Sequence, residues 1–413
     1  MNVTDYIIGP LICICVAVIG CLIYIKLILS SWILMILPIS QPVINAAENM
    51  TKLVAHYGFR EETHDISGVK IHCVVKDTLP ATTDISAGVI VFIHGTASSS
   101  ATFFDTMNAL PPTMKCVAID LPTFGISGHI DTERYPTNEK LCIAYADVIG
   151  HTLYKLEIVN QTILVAHSLG GFLSIYVADR FPIKKLVLLN PAGILPTLGE
   201  WGYYWAIFFK AGLPTTAFQL SMVSSDLLVY LGRLWWTGVL EPGDIKTEFW
   251  LSFFANPANE GHRILQRLIT LRPGYSYWNT PAISTLTDVY KKVPTSVCFG
   301  VEDTICPSHI GAFLRRLTQG EIRIHNIQNA NHNPCMNTEC MVKFLLDTYN
   351  NDTIGTKPER SWRKMAASNK RKTRNHRGYS YHSLEKTQES FQNVYDYILT
   401  HTAYYPPHSA SPP

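Results

Sequence analysis

The chain has 413 residues, a formal net charge of +2, 16% charged residues and 47% hydrophobic ones. That length suits one large domain with insertions or two domains, and the near-balanced charge gives no global argument for a polyanionic partner, so no nucleic acid is expected. The ten cysteines are scattered, and Cys335 and Cys340 form a C-x4-C pair with no second pair to complete a zinc site, so no metal and no cofactor are expected.

Tyr6 to Ile25 is twenty residues without a charge, and Lys26 only briefly interrupts an apolar character that resumes from Leu27 to Leu37 before Pro38. Twenty residues make ~30 Å of helix, the thickness of a bilayer core. A cleaved signal peptide is the alternative, but no basic residue precedes the run and it is too long for an h-region. Residues 6–37 are therefore expected to form a single transmembrane anchor. Lys26, Lys52 and Arg60 follow the run and none precedes it, which places the C-terminal side in the cytosol, at the endoplasmic reticulum or another endomembrane. Asn-x-Thr sequons at Asn49, Asn160 and Asn351 point the other way, since they would be used only in a lumenal domain.

Short β-prone runs follow at Val69 to Val75, Gly88 to Ile93 and Lys115 to Ile119, each ending in turn-forming or polar residues. From there strands alternate with helical spacing: helices over Glu139 to Leu156 and Gly170 to Arg180, strands at Ile163 to Ala166, Leu186 to Leu189, Ser296 to Phe299 and Ile322 to Ile327. That alternation predicts an α/β class with a mostly parallel central sheet flanked by helices, in which functional groups collect beyond the carboxyl ends of the strands. It stops between Gly193 and Tyr290. This insertion holds six of the eight tryptophans (Trp201, Trp205, Trp235, Trp236, Trp250, Trp278) and reads as a helical, aromatic-rich cap. Its aromatics either make the cap's own core or roof an apolar pocket. The core is thus expected in two parts, residues 66–192 and 291–349. After about Asn350 periodicity is lost, and Lys357 to Arg377 carries nine Lys or Arg and one acid, so residues 350–413 read as a basic, disordered tail. Such a block could bind an anionic leaflet, serve as a localisation signal, or be a solvated linker.

The stretch Thr162 to Tyr176, TILVAHSLGGFLSIY, carries the chemistry. An apolar strand runs into His167-Ser168-Leu169-Gly170-Gly171 and then into a helix, so a serine stands at the apex of a sharp turn with small residues, Ala166 and Gly170, two before and two after it. The bland reading is a serine that only caps the helix. A serine hydroxyl needs a general base and a group to orient that base. Asp303 stands just beyond the strand Ser296 to Phe299, and His332 lies in the loop after Ile322 to Ile327, which gives the chain order Ser, Asp, His. Competing residues are weaker: Glu302 is one residue nearer the strand, His325 lies within its strand, and the other acid position, after Leu189, is occupied by the uncharged Asn190. An oxyanion needs backbone N–H donors. Leu169 after the serine supplies one, and the turn His94-Gly95 leads into Thr96, whose N–H supplies the second.

From about Ile66 to Tyr349 the chain resembles the α/β-hydrolase superfamily, and with its N-terminal run it looks like the membrane-tethered serine hydrolases that include monoacylglycerol lipases and related esterases. The resemblance rests on His94-Gly95, the turn Asp120 to Ser127, the elbow Ala166 to Gly170, Gly300 to Asp303, and His332. It implies an α/β-hydrolase fold with a cap, Ser168 as nucleophile, His332 as general base and then acid, Asp303 as its orienting carboxylate, and Thr96 and Leu169 as the oxyanion hole. The departures are Ala166 where the pattern has Gly, Asn331 where Gly often precedes the histidine, and Pro122-Thr123 where relatives often have Arg-Gly. The expected activity is cleavage of a carboxylic ester, of a lipid or another apolar ester at a membrane, with a medium or long acyl chain. Thioesterase or amidase chemistry would use the same residues, and a non-catalytic receptor or scaffold of the same fold is the alternative of a different class. The serine at the elbow argues against epoxide hydrolases and haloalkane dehalogenases, which use aspartate there.

Overall fold

The computed structural model describes residues 46–77, 88–96, 98–194, 264, 267–272, 275–278, 282–303, 305–306, 308–333 and 337–350. The apolar run 6–37, most of the segment 193–290 and the tail after Asn350 lie outside the described residues. Among the described residues no helix is long and apolar enough to cross a membrane.

The elements follow in the order α1 (Ala46–His56), β1 (Arg60–Ile66), β2 (Val69–Lys76), β3 (Val89–Ile93), α2 (Phe104–Ala109), β4 (Cys116–Ile119), α3 (Asn138–Lys155), β5 (Thr162–His167), α4 (Leu169–Arg180), β6 (Lys185–Leu189), β7 (Ile269–Arg272), β8 (Tyr275–Trp278), α5 (Ile283–Val289), β9 (Thr295–Gly300), α6 (His309–Leu317), β10 (Arg323–Ile327) and α7 (Thr338–Asn350). Eight strands form one sheet in the order β1-β2-β4-β3-β5-β6-β9-β10. From β4 to β10 every neighbouring pair is parallel, and β1 and β2 add an antiparallel edge.

The strands read as continuous apolar runs because both faces are covered. Every residue of β3, VIVFI, and of β6, KLVLL, is buried. On one face Ile90, Phe92, Ile163, Val165, Val187, Leu189 and Cys298 share a core with residues of α1, α2 and α7, among them Leu53, Met107 and Phe344. Against β3, β5 and β6, α4 packs from the helix that follows Ser168. Each fully buried aliphatic or aromatic side chain contributes roughly 1.5–3 kcal/mol, so strands with no exposed residue supply much of what holds the fold together.

Two elements differ from the sequence expectation. The sheet begins before Ile66: β1, REETHDI, pairs with β2 but is an edge strand whose mostly polar residues stay partly exposed, so it carries no apolar run to read. Within the segment read as a helical cap, the described residues hold an antiparallel ladder, Ile269 to Arg272 with Tyr275 to Trp278, and the helix α5, which buries Ile283, Leu286 and Val289 and packs on α4.

A buried ionic cluster ties this edge of the sheet to the turn after β4. His72 Nδ1 lies 2.9 Å from Asp120 Oδ2 and its Nε2 lies 3.2 Å from Glu61 Oε1. Asp120 also accepts hydrogen bonds from the backbone N–H of Ser100 at 2.6 Å and of Ile126 at 3.1 Å. Burial alone would lower the His72 pKa, but the hydrogen bonds and charges of Asp120 and Glu61 together outweigh it and raise it to about 9. In Asp120 burial pulls upward, and the bond to and charge of His72, with the Ser100 N–H, hold the carboxyl down at about 2. A histidine raised from 6.5 stabilises the fold fully below its unfolded value, and that contribution is lost as pH rises through about 9. Asp120, lowered from 3.8, contributes above that value and stops doing so as pH falls through about 2. Between pH 6.5 and 9, chemical-denaturant stability is therefore expected to fall by on the order of 1–3 kcal/mol more in the wild type than in His72→Gln. Parallel pH slopes for the two proteins would show that the cluster carries no charge-dependent stability.

Candidate active site

The serine sits where β5 gives way to α4, in a conformation that only a forced turn explains. Ser168 has φ 51° and ψ −117°, and its N–H donates to Leu189 O at 3.0 Å while its own carbonyl accepts from Phe172 N at 3.1 Å. A non-glycine residue held there costs on the order of 1–3 kcal/mol, which the surrounding packing must supply. The packing also explains the small residues. A Cβ on Gly170 would stand 2.2 Å from His94 O, and one on Gly95 would stand 2.9 Å from Ser168 Cβ. Gly95 thus lets the loop after β3 lie against the serine, with Thr96, half-buried, next along that loop. Leu169 opens α4, so its N–H is one of the first-turn donors with no partner inside the helix. Ala166, in place of the usual glycine, is fully buried without disturbing β5, which stays paired to Leu188 of β6.

The loops after β3 and β4 are locked to each other. Leu121 N–H donates to His94 Nε2 at 3.0 Å, so His94 Nδ1 carries the proton and donates to Gly95 O at 2.7 Å. Burial pushes the His94 pKa down, against the pull of the Asp120 charge, which keeps this ring neutral.

Ser168, His332 and Asp303 come together across 164 and 29 residues of sequence separation. His332 Nε2 is 2.9 Å from Ser168 Oγ, and His332 Nδ1 is 2.8 Å from Asp303 Oδ2. The side chain of Asp303 is fully buried and that of His332 is 23% exposed, so the chain of hydrogen bonds runs from the interior toward an accessible imidazole. Asp303 Oδ1 accepts from the backbone N–H of Ile305 at 2.7 Å and of Cys306 at 2.9 Å. Burial would raise the Asp303 pKa, but the His332 charge and hydrogen bond and these two N–H donors hold it below the usual carboxylate range. The competing residues lie elsewhere: Glu302 is exposed, and the His325 ring packs edge-on against Phe344 with centroids 4.7 Å apart.

Two further residues hold this arrangement, and neither role carries a mark in the sequence. Asn190, with φ 43° and fully buried, uses Nδ2 to donate to Asp303 Oδ2 and to Asn331 O at 3.1 Å, while its Oδ1 accepts from Gly300 N at 2.9 Å. The position that lacks a charge therefore clamps the residue that has one. His167 lies 2.7 Å through Nε2 from His332 O, and its rings meet those of His332 at 5.0 Å. Burial, reinforced by the His332 charge, drops its pKa to about 3, so it is neutral and Nε2–H is the donor. Gly300 completes the fit, since a Cβ there would stand 2.2 Å from Asn331 O in the loop that carries His332.

The sequence profile of the alpha/beta hydrolase family matches residues 90–347, and the chain belongs to that family. It is 26% identical over 229 residues to the cis-3-alkyl-4-alkyloxetan-2-one decarboxylase of Shewanella oneidensis, covering 53% of this chain and 69% of that protein. Over 258 residues it is 26% identical to the pimeloyl-[acyl-carrier protein] methyl ester esterase of Neisseria meningitidis, covering 59% of this chain and 71% of that protein. The uncharacterized hydrolase YugF of Bacillus subtilis is 33% identical over 132 residues, which span only 46% of its length. Among solved structures, a membrane phospholipase A described as a bacterial virulence factor superposes with a TM-score of 0.54 at 17% identity, over 84% of this chain and 100% of that one. That likeness is one of fold.

Proposed function

We propose that this protein is a serine hydrolase that cleaves carboxylic esters, of lipids or other apolar molecules, through an acyl-enzyme on Ser168. The observation that carries this is the unbroken hydrogen-bonded chain Ser168–His332–Asp303, with the serine on a strained elbow against which Gly95 of the loop after β3 lies. In the reaction Ser168 Oγ attacks the ester carbonyl carbon as its proton passes to His332 Nε2, and Asp303 steadies the imidazolium. The N–H groups of Leu169 and Thr96 receive the oxyanion. His332 then gives its proton to the departing alcohol, and a water that it deprotonates releases the acyl group from Ser168. Esterases among the relatives support the ester class, and thioesters or amides would pass through the same steps.

A fluorophosphonate probe reacts with an activated serine whatever its substrate. Full-length protein is expected to be labelled and Ser168→Ala to be unlabelled; absence of labelling in both would leave a non-catalytic receptor or scaffold as the reading, and labelling that survives in Ser168→Ala would put the activated nucleophile elsewhere. The aromatic segment 193–290 is proposed to cover the acyl chain, because burial of each CH2 contributes ~0.8 kcal/mol. In a series of p-nitrophenyl esters from about two to sixteen carbons, kcat/KM is then expected to rise with length; a steady fall from acetate would make this a small-ester hydrolase.

The apolar run 6–37 is proposed to hold the protein in an endomembrane as a single pass, with the hydrolase domain on the cytosolic side. About twenty apolar residues outweigh any surface attraction of the basic tail. Deletion of residues 1–38 should move most of the protein to the soluble fraction, whereas deletion after Lys357 should not. Full-length protein recovered as soluble after a high-salt wash would sink this reading.

A further inference from the structure

Cys306 takes no part in the proton path, yet its thiol lies beside it. Its Sγ, a ring nitrogen of His332 and a carboxylate oxygen of Asp303 all lie within 4.8 Å of one another. We propose that these three side chains form an inhibitory site for one borderline divalent cation of the zinc type, which switches the serine off by capturing its base. The inhibitory consequence rests on the reading of Ser168, His332 and Asp303 as the catalytic chain; the binding itself does not.

Several features argue for the ion. One sulfur, one imidazole nitrogen and one carboxylate oxygen make the donor set that zinc and cadmium prefer and that magnesium and calcium do not. Tetrahedral bonds of about 2.0–2.3 Å put donors roughly 3.3–3.7 Å apart, so the Asp303–His332 pair opens by about half an ångström and the thiol closes in by about one. The turn that joins two of the ligands is already built, because the N–H groups of Ile305 and Cys306 both bind Asp303 Oδ1. Charge also balances: a carboxylate, a thiolate and a neutral imidazole around a dication sum to zero, which suits ligands of which Asp303 and Cys306 are buried. His332, 23% exposed, is the ligand an ion would reach first, and water is the proposed fourth ligand. Without metal the thiol stays protonated, since burial and the Asp303 charge push its pKa well above the ordinary value, so it does not compete as a nucleophile.

The inhibition follows from the tautomer. In the resting site Nδ1–H faces Asp303, and Nε2 is free to accept the proton of Ser168. When the cation bonds to Nδ1, Oδ2 and Sγ, the thiol proton leaves to solvent, the Nδ1–H···Oδ2 bond breaks, and the neutral imidazole carries its proton on Nε2. The net release is one proton. An imidazole protonated at Nε2 donates toward Ser168 Oγ and takes nothing from it.

Two readouts test this on the full-length protein. Cadmium should produce an ultraviolet thiolate-to-metal charge-transfer band that is lost in Cys306→Ser and in Cys306→Ala, the second variant guarding against a misfolded first. Zinc in a metal-buffered solution should slow fluorophosphonate labelling reversibly on addition of EDTA, and each Cys306 variant, scored against its own metal-free rate, should need at least about tenfold more free zinc for half inhibition. Absence of a Cys306-dependent band would overturn the site whatever the labelling does. A band without slowed labelling would overturn the capture of His332. If no metal-free sample is labelled at all, the hydrolase reading has failed, and the band still decides whether the cation binds.

Discussion

Ser168→Ala and His332→Ala are each expected to lower ester turnover by on the order of 10^4–10^6-fold, and the double variant to be little worse than either. The reason, on the proposed reading, is that the serine and its base act as one device. Without Nε2 at 2.9 Å the Ser168 hydroxyl keeps its proton, and without Oγ the imidazole has nothing to activate but water, so either loss leaves only binding and the oxyanion donors. His325→Ala is the discriminating control. That ring, partly buried on the edge strand β10, packs on Phe344, and its pKa is lowered by burial and by the Arg323 charge, features of a histidine held by packing. It should cost stability and leave kcat near that of the wild type. Turnover that survives His332→Ala and is lost in His325→Ala would show the base to be misassigned.

The inner strands and the serine turn were legible for a shared physical reason. A parallel sheet covered on both faces must be written as short continuous apolar runs, so β3, β5, β6 and β9 stand out, and the residues just past their carboxyl ends are already a shortlist. Ser168, Asp303 and His332 were on that list because a strand end is a local feature. What holds them was not. Asn190 looks in sequence like a vacant acid position, and only the approach of β6 to β9 turns it into a clamp on Asp303. His167 spends its donor on a backbone carbonyl, and a carbonyl leaves no mark on sequence. β1 leaves no apolar run in the sequence because an edge strand half in water obeys no apolar pattern.

Asp303→Asn should lower kcat/KM by on the order of 10^4-fold, although it changes a single atom. Both carboxylate oxygens are pure acceptors here. Oδ2 faces His332 Nδ1 at 2.8 Å and the amide of Asn190, and Oδ1 takes the N–H groups of Ile305 and Cys306. An amide must turn its NH2 to one side or the other. Toward Ile305 and Cys306 it would meet two backbone donors and strand both, at about 1–3 kcal/mol each. Toward His332 it meets one opposing donor, the Asn190 amide, which cannot flip without giving up the bond from Gly300 N. The second orientation costs less, so it is the one expected. It donates to Nδ1, forces the proton of His332 onto Nε2, and leaves no acceptor for Ser168; the negative charge that steadies the imidazolium is lost as well. Ester hydrolysis and fluorophosphonate labelling should fall together while thermal melting shows a folded protein. A folded Asp303→Asn variant within tenfold of wild-type kcat/KM would mean that Asp303 holds the loop in place and does not set the state of His332.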